Sequence, residues 1–279
     1  MSRPEPNYTP LRETGQQMHL AVSQGDLPRF VLAPGDPGRV PRIGKWWDNY
    51  REVAYHREFR SARGTYRGVE IGACSTGVGG PSADIAINEL ANVGVDTVVR
   101  VGTCAALQAD INIGDLIIND AAVRFTGAPR HYFGDEYPAA ATPEVVMALI
   151  EACECLGFTY HVGASASVDS FYAGEVNPIH GGYYPSKMDY FLDDLCMAKV
   201  ANFEMEAATL FVVGRILGLR TGCICVVGSN RIRRERKSSG DALDNACQAA
   251  CEAVRILHEW DTLKKAHGKR YFSPSLLIR

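Results

Sequence analysis

Two carboxylates flank a methionine in the segment Glu204-Met205-Glu206, where an apolar stretch begins. Carboxylates in such a place can accept hydrogen bonds from sugar hydroxyls, and these bonds strengthen when a breaking glycosidic bond makes the anomeric carbon oxocarbenium-like. The same residues also suit an ordinary helix N-terminus, where they stabilise the helix dipole by roughly 0.3–1 kcal/mol. The segment alone therefore predicts either a sugar-binding helix start or a plain one.

Two glycine-rich turns with arginines nearby suit an anion. Residues 34–38 lead directly to Arg39, and residues 74–81 follow another apolar run. Backbone N–H groups of such a turn at a helix N-terminus face an anion without obstruction. Arg100 and Thr103 end a third apolar run and would add a guanidinium and a hydroxyl. Each turn alone is more often a plain connection, but together with the carboxylates they predict an enzyme that brings phosphate and a sugar into one pocket.

Apolar runs that alternate with helical patterns position these residues and predict one α/β layered domain. We expect strands at residues 30–33, 69–75, 95–103, 115–118, 162–167 and 222–228, and helices at 81–94, 143–156, 205–217 and 241–260. The run at 95–103 is rich in β-branched residues and is typical of a strand covered on both faces.

Length and composition exclude several classes of protein. The 279 residues, 46% of them hydrophobic, suffice for a substantial core, and a net charge of −3 indicates neither a nucleic-acid partner nor a membrane surface. No apolar run is long enough for a transmembrane helix. Nine cysteines without a secretory signal or zinc-site spacing indicate buried, reduced thiols and a cytoplasmic protein.

The predicted strands and helices also suggest how the chain is divided. We expect an N-terminal arm with a short helical piece at 1–28, the catalytic domain at 29–262 and a basic C-terminal tail at 263–279. The segment 171–191, rich in Gly, Tyr and Pro, is a candidate pocket wall or lid.

The ordered set of motifs resembles the uridine phosphorylase branch of the nucleoside phosphorylase family. The similarity spans most of residues 19–258, and the matching pieces are 34–37 with Arg39, 56–59, 75–82, 100–103, 169–172, 203–206 and 230–231. The resemblance implies a phosphorylase/hydrolase-like fold, which is a three-layer α/β/α domain with a central mixed, mostly parallel sheet. It also implies reversible phosphorolysis of a pyrimidine ribonucleoside, with uridine first, to free base and ribose 1-phosphate. Phosphate is the nucleophile and co-substrate, so no organic cofactor is implied.

The resemblance further implies a role for each matching residue. Phosphate would contact Gly35, Arg39, Arg100 and Thr103, with Arg57 supplied by a neighbouring subunit. Ribose would contact Met205, Glu206 and Glu204, with His19 supplied by the partner subunit. The base would lie among Cys104, Ala105, Phe171, Glu175, Asn177 and Arg231. The catalytic set would be Arg100, Glu206 and Arg231. A potassium site at the dimer interface would use Glu58, Ser82 and the carbonyl of Val78. Sharing of this kind requires at least a homodimer, and the family often forms homohexamers.

The base-reading segment departs from the family pattern. Glu175 and Asn177 stand where the family carries a glutamine and an arginine that read uracil. An ionised Glu175 only accepts hydrogen bonds, and Asn177 cannot stabilise a uracilate leaving group by charge, although Arg231 could take over that role. Cys104-Ala105 replaces the family's Thr-Gly. Cytidine and purine nucleosides therefore stay open as alternative substrates beside uridine.

Other activities stay open with less support. Asn230 stands where purine-specific relatives carry a catalytic aspartate, which counts against purines. A nucleosidase that uses water would not need Arg39, Arg57 and Arg100, and a non-catalytic nucleoside-binding protein would not need Glu206 beside them. A dinucleotide-dependent oxidoreductase would need a glycine fingerprint that neither turn has.

Overall fold

The computed structural model describes residues 10–237 and 240–277, which form a mixed sheet between layers of helices. Its strands are β1 (Phe30–Ala33), β2 (Asn49–His56), β3 (Phe59–Tyr66), β4 (Val69–Cys74), β5 (Thr97–Ala106), β6 (Leu116–Asn119), β7 (Ala122–Phe125), β8 (Tyr160–Val162), β9 (Ser165–Val168), β10 (Asn202–Glu204), β11 (Arg220–Asn230) and β12 (Glu235–Arg236). Its α-helices are α1 (Arg39–Gly44), α2 (Gly80–Asn92), α3 (Pro143–Leu156), α4 (Phe191–Met197), α5 (Ala207–Ile216) and α6 (Ala242–Ala266).

Strand β5 lies at the centre of the sheet. It pairs in parallel with β1 on one side and with β11 on the other. From β1 the sheet continues through β4 and β3 to β2, and from β11 it continues through β6 to β8. Strand β10 pairs antiparallel with the last residues of β5 and in parallel with β9, which in turn pairs with β7. The sheet is therefore mixed and mostly parallel, as predicted.

Alternate residues of β5 pack against opposite faces of the sheet, as the two-residue period of a strand requires. Val99 and Val101 join a core with α1, α3 and α6, whereas Val98 joins a second core with α2 and α5. Helix α3 packs on α6, and α2 packs on α5. Helices thus cover both faces of β5, and the predicted three-layer α/β/α architecture is confirmed.

The predicted strands and helices are present, but several end at other residues than predicted; β5 continues to Ala106, for example, and α6 continues to Ala266. Residues 162–167 are not one strand, because the chain leaves β8 at Val162 and re-enters the sheet as β9. The carboxylate segment does not lie inside a helix, because Glu204 ends β10 and α5 begins only at Ala207. The hairpin β2–β3, the short helices α1 and α4, and strands β7, β10 and β12 were not predicted.

The described part of the N-terminal arm is not helical. Residues 10–28 form turns, and the short helical piece expected there is absent from this range. Leu20, Val22 and Leu27 are buried in the core that contains α2 and α5. Residues 1–9 lie outside the described residues, so the division into arm, domain and tail stays a prediction. Among the described helices, none combines the length and the apolar composition that crossing a membrane requires.

Candidate functional site

A cavity of about 530 Å³ opens where β1, β5 and β11 end, the edge at which ligands gather in parallel sheets. Its lining includes most of the residues predicted from the sequence: Gly35, Arg39, Val78, Arg100, Thr103, Cys104, Ala105, Phe171, Glu175, Glu204, Met205, Glu206 and Arg231. It also includes five residues that sequence reasoning did not assign: Asp36, Gly228, Ser229, Arg236 and Lys237. The structure thus brings the predicted phosphate, ribose and base residues into one space.

Arg100 bridges the two carboxylates of the Glu-Met-Glu segment. Its Nη2 lies 2.5 Å from Glu206 Oε2, and its Nε lies 3.1 Å from Glu204 Oε2. All three side chains are buried. Burial is the largest single effect and opposes the charged form of Arg100, but the surrounding negative charges, led by Glu206 and including Glu204, together outweigh it and raise the pKa of Arg100 above its ordinary value. Arg100 is therefore a permanent cation, fixed at the floor of the cavity.

Glu204 is occupied entirely by protein donors. Its Oε2 accepts the backbone N–H groups of Glu206 and Ala207 at 2.8 and 2.7 Å, in addition to the bond from Arg100. Its Oε1 accepts hydrogen bonds from the hydroxyls of Ser165 and Ser167 on β9. Glu204 thus caps the start of α5 and positions Arg100, so the direct ribose contact predicted for it has no free acceptor in this arrangement.

Glu206 is held by a glycine turn on the opposite wall. Its Oε1 accepts the N–H of Gly79 at 2.5 Å. Gly79 has φ +89° and ψ 165°, a conformation essentially restricted to glycine, directly before α2. Burial raises the pKa of Glu206, and the charge of Arg100 opposes this shift. The pKa remains raised because Arg100 is shared with Glu204 and cannot fully compensate both carboxylates. Glu206 is thus a rigid acceptor that faces the cavity.

Arg39 has spare donors at the phosphate end of the cavity. Its Nη1 donates to the carbonyl of Val101 at 2.8 Å, whereas its buried Nε has no partner in the structure. Burial, followed by the neighbouring charge of Arg100, lowers the pKa of Arg39. An anion between these two guanidiniums would relieve both effects. Gly35 and the exposed hydroxyl of Thr103 line the same region.

At the other end, Arg231 is tied to the two residues that depart from the family pattern. Its Nη2 lies 2.8 Å from Glu175 Oε2, and its Nη1 donates to Asn177 Oδ1 at 2.6 Å. Burial raises the pKa of Glu175, and the charge of Arg231 opposes this shift. Asn177 also donates to the carbonyl of Phe171 and does not itself line the cavity. Asn177 thus contacts Arg231, and its contact with the base stays a prediction.

The residues predicted to serve another subunit lie outside this cavity. His19 is bound to the buried Glu89 of α2, with its Nδ1 2.7 Å from Oε1. Arg57 is exposed in the two-residue turn between β2 and β3, with φ +54°. Beside it, Glu58 Oε1 accepts a hydrogen bond from Ser82 Oγ at 3.1 Å. These positions neither confirm nor exclude the predicted roles.

Three groups of site residues were not found by sequence reasoning, for different reasons. Ser165 and Ser167 carry no local signal, because only the sheet brings them to Glu204. Gly228 forms a β-bulge in β11, which a continuous apolar run does not reveal. Arg236 and Lys237 belong to a visible basic run, residues 231–237, which was a usable signal.

Comparison with known proteins decides the family. The family model of the phosphorylase superfamily matches residues 29–259, a range that includes every residue lining the cavity. This chain belongs to the phosphorylase superfamily. Membership confirms the resemblance and the fold predicted from the sequence. Phosphorylases of this superfamily take inorganic phosphate as co-substrate and need no organic cofactor.

Individual proteins similar to this chain match most of its length. Uridine phosphorylase of Thermococcus kodakarensis is 52% identical over 267 residues, covering 96% of this chain and 96% of the relative. Guanosine phosphorylase of Halorubrum lacusprofundi is 38% identical over 244 residues, covering 86% and 96%. Uridine phosphorylase of Escherichia coli is 38% identical over 244 residues, covering 86% and 95%. The names of these relatives include both a pyrimidine and a purine nucleoside.

Proposed function

We propose that this enzyme catalyses reversible phosphorolysis of a nucleoside, with uridine as the preferred substrate, to free base and ribose 1-phosphate. The observation that carries this proposal is the Arg100 bridge. One guanidinium joins the anion-binding end of the cavity to Glu206, the acceptor suited to ribose hydroxyls. Phosphate and sugar bound on either side of that bridge would be neighbours.

The proposed substrate positions follow from the free groups. Phosphate lies between Arg39 and Arg100, with Thr103 and the Gly35 turn completing the site. Ribose lies over Met205, with a hydroxyl bonded to Glu206. This arrangement puts the nucleophile beneath C1′ and converts a reaction of two molecules into one within a single complex.

Electrostatic stabilisation supplies the rest of the proposed rate enhancement. As the glycosidic bond breaks, positive charge develops on the ribose ring, next to the Glu206 carboxylate and the phosphate dianion. Negative charge develops on the leaving base, next to Arg231. The base then departs as phosphate attacks the opposite face of C1′. No protein side chain has to form a covalent bond.

A second candidate is phosphorolysis with a different base preference. Glu175 accepts from Arg231 and leaves acceptor capacity for an N–H of the base, a pattern compatible with uracil and also with amino-bearing bases. The guanosine phosphorylase similarity supports this alternative. Asn230 gives no support for proton delivery to a purine, because it is buried and donates to the carbonyls of Gln108 and Ile111.

The assay that tests the proposed function compares nucleosides with and without phosphate. We expect uridine to be converted to uracil and ribose 1-phosphate only when phosphate is present, and to be favoured over cytidine and guanosine in kcat/KM. Chromatography of bases and sugar phosphates measures both products. Base release at the same rate without phosphate would indicate a nucleosidase, and no base release from any nucleoside would refute the proposal.

Replacing Glu175 with glutamine tests how the base is read. We expect Glu175→Gln to raise the kcat/KM ratio of uridine to cytidine by about ten-fold, because the variant weakens the acceptor for an exocyclic amine and frees Arg231 for a uracil carbonyl. Competition between the two nucleosides measures the ratio. Glu235→Gln, an exposed change in the neighbouring hairpin, is the matched control. An unchanged ratio in Glu175→Gln would mean that the base is read elsewhere.

We propose that the enzyme acts as a homodimer or a larger assembly such as a hexamer. The exposed hairpin tip that carries Arg57 supports this, because Arg57 does not line the cavity of its own protomer. A potassium ion would fit the oxygens of Glu58, Ser82 and the Val78 carbonyl, since hard cations prefer such ligands. Within residues 10–237 and 240–277, no cluster of His, Cys, Asp and Glu is arranged to hold another metal. Sedimentation velocity tests the assembly, and an active monomer would contradict it. Assays with and without potassium test the cation site, and an activity that does not depend on potassium would contradict that site.

We also propose a reducing, cytoplasmic location. All nine cysteines are free and seven of them are buried, as expected for a protein that does not rely on disulfides. Cell fractionation would test this location.

A further inference from the structure

Two cationic side chains on the cavity wall have no part in the chemistry proposed above. Arg236 and Lys237 both line the cavity, and both are exposed. No ion pair with another described residue neutralises either of them, whereas Arg100 and Arg231 are each paired with glutamates. Their charges therefore face the cavity mouth without compensation.

The segment that carries these two cations is anchored at its first end. Asn230 is buried and donates to two carbonyls in the stretch 108–111 at 2.9 and 2.8 Å, and it accepts two N–H groups of the following turn at 3.0 Å each. Strand β12 then folds back on β11, with Arg236 opposite Ser229. The N–H of Lys237 donates to the carbonyl at the β11 bulge at 3.1 Å. The two side chains are thus presented from a fixed hairpin.

After Lys237, the next described residue, Gly240, contacts the helix that carries Arg39. Arg42 of α1 donates from Nη2 to the carbonyl of Gly240 at 2.6 Å. Helix α1 begins at Arg39, whose guanidinium lines the phosphate end of the cavity. In the sequence, Arg236 and Lys237 therefore lie between Arg231, at the base end of the cavity, and Gly240, which contacts the helix that begins at Arg39.

The charges on the rest of the cavity lining indicate what Arg236 and Lys237 contribute. Apart from Arg236 and Lys237, the lining carries three arginines (Arg39, Arg100 and Arg231) and four carboxylates (Asp36, Glu175, Glu204 and Glu206), so it has no net positive charge. Such a site exerts little attraction on a dianion beyond contact distance, because opposite charges cancel with distance and salt screens the remainder. The two uncompensated cations at the mouth match the two charges of a phosphate dianion.

We propose that Arg236 and Lys237 form an outer capture site for the phosphate dianion, an inference that rests on the proposed phosphorolysis. Inorganic phosphate meets this site on entry, and the phosphate group of ribose 1-phosphate meets it in the reverse reaction. The two side chains raise the local concentration and the association rate of the anion. They do not contact the reacting carbon, so their effect falls on KM for the phosphate compound and not on kcat.

The test is the double variant Arg236→Gln/Lys237→Gln. We expect its KM for phosphate to rise about ten-fold, its KM for ribose 1-phosphate to rise similarly, and its kcat to stay within about two-fold of the parent enzyme. The parent KM for phosphate should increase steeply with added sodium chloride, and this dependence should be much weaker in the variant. Calorimetric titration with phosphate alone should show the same loss of affinity.

The control removes the same total charge elsewhere. Lys265→Gln/Lys269→Gln changes two exposed lysines that do not line the cavity, and it should leave KM and its salt dependence unchanged. An unchanged phosphate KM and salt dependence in Arg236→Gln/Lys237→Gln would overturn the capture site while phosphorolysis by the parent enzyme stood. A parent enzyme that releases base without needing phosphate would instead refute the proposed function.

Discussion

Replacing Arg100 with alanine is expected to lower kcat/KM for phosphorolysis by about 10³-fold or more. Arg100 is the one described side chain that contacts Glu206 while facing the anion-binding end of the cavity. Its loss removes a cation next to phosphate and also releases Glu206 from its fixed position. Initial rates with phosphate varied at saturating uridine measure the effect, and the loss should persist at the highest phosphate concentration.

The same substitution should also destabilise the fold, so stability has to be measured beside activity. Without Arg100, Glu204 and Glu206 are buried carboxylates without a counter-ion, which costs about 3–5 kcal/mol. Arg100→Lys keeps the charge but cannot bridge both carboxylates, so we expect intermediate activity in a more stable protein. Chemical denaturation of each variant gives the free energy of unfolding.

A control arginine at the far end of β11 separates the loss of activity from the loss of stability. Arg220 begins β11 and lies 2.9 Å from Asp261, far along the strand from the cavity edge. Arg220→Ala should reduce stability, yet keep kcat/KM per folded molecule within about three-fold. If folded Arg100→Ala turned over uridine as well as Arg220→Ala does, the phosphate site would have to lie elsewhere.

The layers of the fold could be predicted because their signals are local. The apolar run of β5 has residues suited to both faces, and the helix at 143–156 has a proline at its start and Gly157 in a left-handed conformation after its end. The hairpin β2–β3 lacks such a signal, because β2 is largely exposed and polar. Its stability comes from pairing with β3, which a local pattern does not show.

The types of the site residues could be predicted, but their pairings could not. Arg100 and Glu204 are separated by 104 positions, and Glu206 is separated from Gly79 by 127. The antiparallel pairing of β10 with the end of β5 brings Glu204 to Arg100, and the packing of α2 on α5 brings Gly79 to Glu206. For the same reason the pairing of Arg231 with Glu175 was not predicted, and Asn177 was expected at the base instead of at Arg231. The resemblance supplied the residue identities, and the sheet supplied the contacts.

Glu206→Gln is expected to lower kcat/KM by about 10²–10³-fold with little change in fold. Glutamine has nearly the same shape, and its oxygen can still accept a hydrogen bond from Gly79. It carries no charge, so it cannot offset the positive charge that develops on the ribose ring. The loss should therefore appear mainly in kcat, with a smaller rise in KM for uridine. Steady-state rates with uridine varied at saturating phosphate measure the split.

The pH dependence gives an independent readout of the same carboxylate. Because burial raises the pKa of Glu206, the ionised form is lost at a higher pH than for an ordinary glutamate as the pH falls. Parent activity should therefore decline in mild acid, and Glu206→Gln should lack that decline. Glu252→Gln is the control, since Glu252 is an equally buried, arginine-paired carboxylate on α6 that does not line the cavity. It should keep the parent pH profile. The phosphate dianion concentration is held constant across the pH range, because phosphate itself takes up a proton in mild acid. Under that condition, an acid decline that survives in Glu206→Gln would assign the titrating group to another residue and leave the Glu206 carboxylate with a purely positional role.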